Sequence, residues 1–84
     1  YPNPFNPTTH ITFDLPAEAA VDIGVFDVRG RRVRTLIRGP KDAGRHTAVW
    51  DGTDDAGRPV ATGVYLCRLK AGGGTHTRKM LLLK

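Results

Sequence analysis

The sequence has no serine and no glutamine, and it holds one cysteine, Cys67, among 84 residues. The missing serine removes one class of nucleophile. The lone cysteine excludes an internal disulfide, so the core must hold the fold unaided. No apolar run approaches the roughly 20 residues that a membrane helix needs. Aromatic residues make up only 7% of the chain, too few for the row of exposed rings that a sugar platform or a single-strand groove requires. Asparagine is reduced to Asn3 and Asn6, and arginine outnumbers lysine, a bias expected of a GC-rich or heat-adapted source.

The length supports one domain near the small end of what folds alone. The chain opens on Tyr1 with no charged-then-apolar leader, and is read as a piece of a longer protein. Its formal charge is +5, which attracts acidic surfaces or simply keeps a small domain in solution.

Glycine and proline cut the sequence into short segments, none with helical periodicity. Ile11, Phe13 and Leu15 alternate with Thr12 and Asp14, and Val21, Ile23 and Val25 alternate with Asp22 and Gly24. Further strands are expected over Val33 to Ile37, His46 to Trp50, Val64 to Ala71 and Thr75 to Leu83. Asp27 to Arg31 reads as a turn, Gly39 to Gly44 as a loop, Asp51 to Gly63 as a long loop, and Gly72-Gly73-Gly74 as a hairpin tip. Gly30, Gly52, Gly57 and Gly63 are expected at turns. The pattern is all-β: a small antiparallel immunoglobulin-like β-sandwich of six or seven strands. Residues 1–9 form a proline-rich linker arm and residues 10–84 the sandwich domain. Pro2, Pro4 and Pro7 offer no backbone donors and hold Tyr1, Asn3 and Asn6 extended, so the arm is stiff and pairs poorly. Phe5 is expected to fold back onto the body, and Phe13, Tyr65 and Trp50 to join the core.

Catalytic and metal chemistry find little support. Cys67 is in phase with Tyr65 and Leu69 on a core face, where a thiol is a small inert apolar group. His10, His46 and His76 stand on three separate strands without close ligand spacing. Asp51, Thr53 and Asp55 echo the first half of a calcium loop, but Ala56 replaces its glycine and Thr62 its bidentate glutamate, so an Asx-turn loop is expected and no cofactor. Arg29, Arg31, Arg32 and Arg34 crowd a turn and a strand start. They are expected to be a solvated hairpin face paired with Asp22, Asp27 or Asp42 and not a nucleic-acid site; no small-molecule substrate is expected either. In the tail, Lys79-Met80-Leu81-Leu82-Leu83-Lys84, four consecutive apolar residues cannot all face one side of a strand. Either both faces are covered, or one of the pairs Met80/Leu82 and Leu81/Leu83 is exposed as a docking patch.

The ordered series Tyr1-Pro2-Asn3-Pro4-Phe5-Asn6-Pro7-Thr8-Thr9, Ile11-Thr12-Phe13-Asp14-Leu15-Pro16, Val25-Phe26-Asp27-Val28-Arg29-Gly30-Arg31, Ala43-Gly44-Arg45-His46, Trp50-Asp51-Gly52, Asp55-Ala56-Gly57-Arg58, Gly63-Val64-Tyr65 and Lys79-Met80 resembles a known family. It is similar to the C-terminal sorting domain of the bacterial type IX secretion system, and to the related immunoglobulin-like domain of the flagellar hook-capping protein. The sorting resemblance implies a non-enzymatic address that leads an upstream cargo domain through the periplasm and across the outer membrane, to the medium or the cell surface. Its partners would be the cargo, the outer-membrane translocon and a sorting peptidase. The residues expected to be recognised are Lys79, Met80, Leu81, Leu82, Leu83 and Lys84. A stop at Lys84, directly after the last strand, fits that role. The hook-capping resemblance implies instead a structural module of an assembly scaffold; a spacer or adhesion module beside an enzyme is a third reading.

Overall fold

The computed structural model describes residues 8–83. The arm up to Pro7, including Phe5, and Lys84 lie outside the described residues. The described chain forms six strands: β1 (Thr9–Leu15), β2 (Ala19–Phe26), β3 (Arg32–Lys41), β4 (Gly44–Trp50), β5 (Gly63–Ala71) and β6 (Gly74–Leu82). They make two antiparallel sheets, β1-β4 and β3-β2-β5-β6.

Period-two alternation decides what each strand buries. Ile11, Phe13 and Leu15 on β1, with Ala48 and Trp50 on β4, face Val21, Ile23 and Val25 on β2, Tyr65 and Cys67 on β5, and Met80 and Leu82 on β6. These side chains form one continuous core between the sheets. Val60, from the loop between β4 and β5, packs against its rim. Trp50 is 1% exposed; its indole meets the Tyr65 ring edge-on at 5.1 Å and donates to the Thr53 carbonyl at 2.9 Å. The Tyr65 hydroxyl donates to the Ala61 carbonyl at 2.6 Å, just before β5 begins. A tyrosine tied to upstream backbone, two residues before a core cysteine, is the tyrosine corner of immunoglobulin-like domains. In that scheme β1 to β6 take the places of strands B, C, C′, E, F and G.

Several boundaries differ from the sequence reading. The expected loop over Gly39 to Gly44 shrinks to Asp42 and Ala43, because β3 continues to Lys41. Pro40 is tolerated there since β3 is an edge strand, where a missing N–H costs no ladder bond. Gly63 opens β5 with an ordinary dihedral and is no turn residue, whereas Gly30, Gly52 and Gly57 have φ of 87°, 80° and 81°. The hairpin tip is only Gly72-Gly73, at φ 56° and 83°; Gly74 already pairs with Ala71. Positive φ at both central residues suits a two-residue hairpin turn.

Candidate interaction surface

Two loops at one end of the sandwich share a single design. In the β2–β3 turn, one Asp27 carboxylate oxygen accepts the backbone N–H groups of Arg29 and Arg31, at 2.9 and 3.0 Å, and the other takes the Arg31 Nε at 3.0 Å. In the β4–β5 loop, Asp54 accepts the N–H groups of Ala56 and Arg58, at 2.9 and 3.0 Å, and pairs with the Arg58 Nε at 3.3 Å. Each turn is closed by a glycine N–H donating to the aspartate carbonyl, from Gly30 and from Gly57. The Asp-x-x-Gly-Arg spacing is thus used twice, at 27–31 and 54–58. The sequence reading missed the repeat; laying the two segments side by side reveals it. Both turns line a cleft of about 600 Å³, together with Val60 and Tyr65.

The β4–β5 loop also covers the edge of β3. The Asp55 N–H donates to the Val33 carbonyl, and its carboxylate accepts the Thr35 N–H at 2.9 Å. Arg34 reaches the Asp54 carbonyl at 2.8 Å and the Thr53 hydroxyl at 3.1 Å. Asp51 accepts the Thr53 N–H at 3.1 Å and the Thr53 hydroxyl at 2.6 Å. Of the three calcium candidates, Asp51 and Thr53 are bonded to each other while Asp55 turns away to the Thr35 N–H on β3, and among the described residues no three His, Cys, Asp or Glu side chains converge. We expect the melting temperature to be the same with calcium and with chelator; a drop of several degrees on chelation would restore a metal role to this loop.

Four carboxyls of this region are held below the usual aspartate range. Backbone N–H bonds, from Arg31 to Asp27 and from Arg58 to Asp54, are the main causes there. For Asp51 the main cause is the Thr53 hydroxyl. Burial works to raise Asp22, but hydrogen bonds and charge from Arg32, with Arg38 behind, outweigh it. A carboxyl depressed by folding contributes stability that is full above its unfolded pKa, near 3.9, and lost as pH falls through the folded value. Urea midpoints should accordingly be flat from about pH 7 to 5 and fall below about pH 4. The fall should be shallower in Asp27→Asn and Asp54→Asn; an identical slope in both variants would remove the turns from the acid response.

The remaining candidates fall as follows. Burial pushes the Cys67 thiol up, against a weaker opposing pull from Arg78, which disfavours the thiolate. His46 stacks on Phe13 at 5.4 Å and bonds the Asp42 carbonyl at 2.7 Å; His10 and His76 are exposed. Of the arginine cluster, Arg31 pairs with Asp27 and Arg32 with Asp22, the latter through both terminal nitrogens at 3.2 Å. Of the expected partners Asp22, Asp27 or Asp42, it is Asp22 and Asp27 that pair with the cluster, while Asp42 gives its backbone carbonyl to His46. Arg32 and Arg68 both lie over the Phe26 ring, at 4.9 and 4.1 Å. Arg32 also crosses Gly24, where an added Cβ would meet its guanidinium.

In the tail, the register Tyr65↔Met80 puts Met80 on the core side with Tyr65, and Leu82 follows it. Met80 and Leu82 are core residues, so of the expected recognition set the members exposed on the described chain are Lys79, Leu81 and Leu83. Lys79 is exposed, and Leu81 and Leu83 are 63% and 62% exposed. Leu81 stands opposite Val64, itself partly exposed, so the outer side of the β5–β6 hairpin ends in an apolar patch.

Two facing antiparallel sheets in this strand order and a tyrosine corner define an immunoglobulin-like sandwich, one whose core tryptophan sits on β4 and not on the strand C place taken by β2. The model of the FlgD Ig-like domain matches residues 3–75, and the chain belongs to that family. Among solved structures, it is similar to the crystal structure of FlgD from P. aeruginosa, at 26% identity and a TM-score of 0.69. That likeness covers 90% of this chain and 61% of the other, so the chain spans about three fifths of that FlgD. No curated protein matches. The family match ends at residue 75, and Lys79 to Lys84 lie beyond it.

Proposed function

We propose that the chain is a non-catalytic, structural Ig-like module of a larger bacterial protein, of the hook-capping kind, and that it works through its outer surface. The observation that carries this reading is the membership in the FlgD Ig-like domain family over residues 3–75. The local geometry supports it: Asp27, Arg31, Asp54, Asp55 and Arg58, which line the cleft between the two turns, are tied to each other or to backbone, and the cysteine is buried. A module of this kind operates beyond the cytoplasm, in the periplasm or at the cell exterior. A second reading is favoured by Lys79, Leu81 and Leu83, which offer a contact patch at the end of β6: a sorting address that a translocon and a sorting peptidase would recognise, leading an upstream cargo across the outer membrane.

One experiment separates the two. Leu81→Ser combined with Leu83→Ser should leave the melting temperature of the 84-residue chain within a few degrees, since both side chains are exposed. In the longer protein, a structural module predicts normal export and failed assembly, while a sorting address predicts retention in the periplasm. Normal export with normal assembly would remove the tail from function.

A further inference from the structure

Charge is divided unevenly along this chain. All eight carboxylates lie at or before residue 55. From residue 56 onward there are six cations, Arg58, Arg68, Lys70, Arg78, Lys79 and Lys84, and no carboxylate. The ion pairs of the described residues involve Arg31, Arg32, Arg38, Arg45 and Arg58, none of them on the β5–β6 hairpin. The hairpin is therefore a basic element without internal neutralisation.

It also ends in an open strand. β6 is nine residues long and stands at the margin of the four-stranded sheet, with no partner on its outer side among the described residues. The opposite margin, β3, is covered by Asp55 and Arg34 and interrupted by Pro40. Such an edge is a template for strand addition unless something selects against it. Here the charges select. A second copy laid antiparallel along the whole of β6 would set Arg78 opposite Arg78, and a one-residue shift would set Arg78 opposite Lys79. Like charges directly opposed in a ladder are destabilising. The same two side chains favour a strand that brings carboxylates.

We propose, resting on the reading above of a structural module that works through its outer surface, that the outer edge of β6 receives an acidic, extended segment of a partner protein, which adds as a fifth strand of that sheet. Main-chain hydrogen bonds to Gly74–Leu82 supply the affinity. Carboxylates opposite Arg78 and Lys79 supply the selection, and an apolar side chain opposite Leu81 fixes the register.

The test uses a nine-residue peptide of valine and threonine with two adjacent glutamates, placed to fall opposite Arg78 and Lys79 with valine opposite Leu81, and its lysine-for-glutamate counterpart, titrated into the 15N-labelled 84-residue chain. The glutamate peptide should shift and protect amides of β6, and weaken at high salt. Arg78→Glu with Lys79→Glu should weaken it at least about tenfold and take up the lysine peptide instead. A melting curve checks that this variant is folded; if it is not, Lys79→Glu alone should still reduce binding. Failure of the glutamate peptide to bind, equal binding of both peptides, or a footprint away from β6 would overturn the proposal. So would vesicles of anionic lipid that footprint on β6 where the peptide does not, since the partner would then be a membrane surface. Loss of assembly in the Leu81→Ser, Leu83→Ser protein together with no peptide binding would keep the structural-module reading and remove only the added strand.

Discussion

Trp50→Ala is expected to lower the melting temperature by at least roughly 12 °C. Truncating a buried indole costs about 3 to 5 kcal/mol. In a domain of this size each kcal/mol moves the midpoint by roughly 4 to 8 °C. Trp50 is among the most buried large side chains, sits between the two sheets, and holds the Tyr65 ring edge-on. Its indole N–H also fixes the Thr53 carbonyl, and Thr53 in turn receives Arg34. The change therefore opens the core and loosens the loop that covers β3. Trp50→Phe keeps a ring against Tyr65 but not the bond to Thr53, and should fall between wild type and Ala. A loss of less than about 4 °C in Trp50→Ala would mean that the sheets do not close over this residue as described.

The second large effect is a contrast between neighbours. Leu82→Ala should destabilise by about 2 to 5 kcal/mol, and Leu81→Ala by no more than about 0.5. Leu82 is 2% exposed and belongs to the core, while Leu81 points outward beside Val64. Urea denaturation of the two single variants measures the difference directly. Equal losses would show that both faces of β6 are covered, and the apolar patch would cease to exist.

That parity shows where the sequence alone runs out. Four apolar residues in a row permit either phase, and only the pairing of β6 with β5 decides it, through the core placement of Tyr65 opposite Met80. Where one face is polar, as at Ile11, Phe13 and Leu15 or Val21, Ile23 and Val25, the phase was readable at once, and those residues are the core. Pro40 concealed the length of β3 because a proline reads as a break until the strand is known to be an edge. The grip of Arg34 on the β4–β5 loop joins groups about twenty residues apart in sequence, and no local pattern announces such a contact. The doubled turn was different: Asp27, Gly30 and Arg31 repeat at Asp54, Gly57 and Arg58 with identical spacing, a signal open to inspection.

On the proposed reading, the use of this FlgD-like Ig domain lies in its exterior. Its two Asp-x-x-Gly-Arg turns satisfy their own polar groups, its thiol is packed away, and its basic hairpin presents what a partner would meet. The most direct measurement is amide hydrogen exchange over these 84 residues, in the isolated chain and in the longer protein within its assembled form. Slowed exchange gained over residues 74–83, with 27–31 and 54–58 unchanged, is the predicted outcome. Protection gained around the cleft between the two turns, with β6 unaltered, would contradict it.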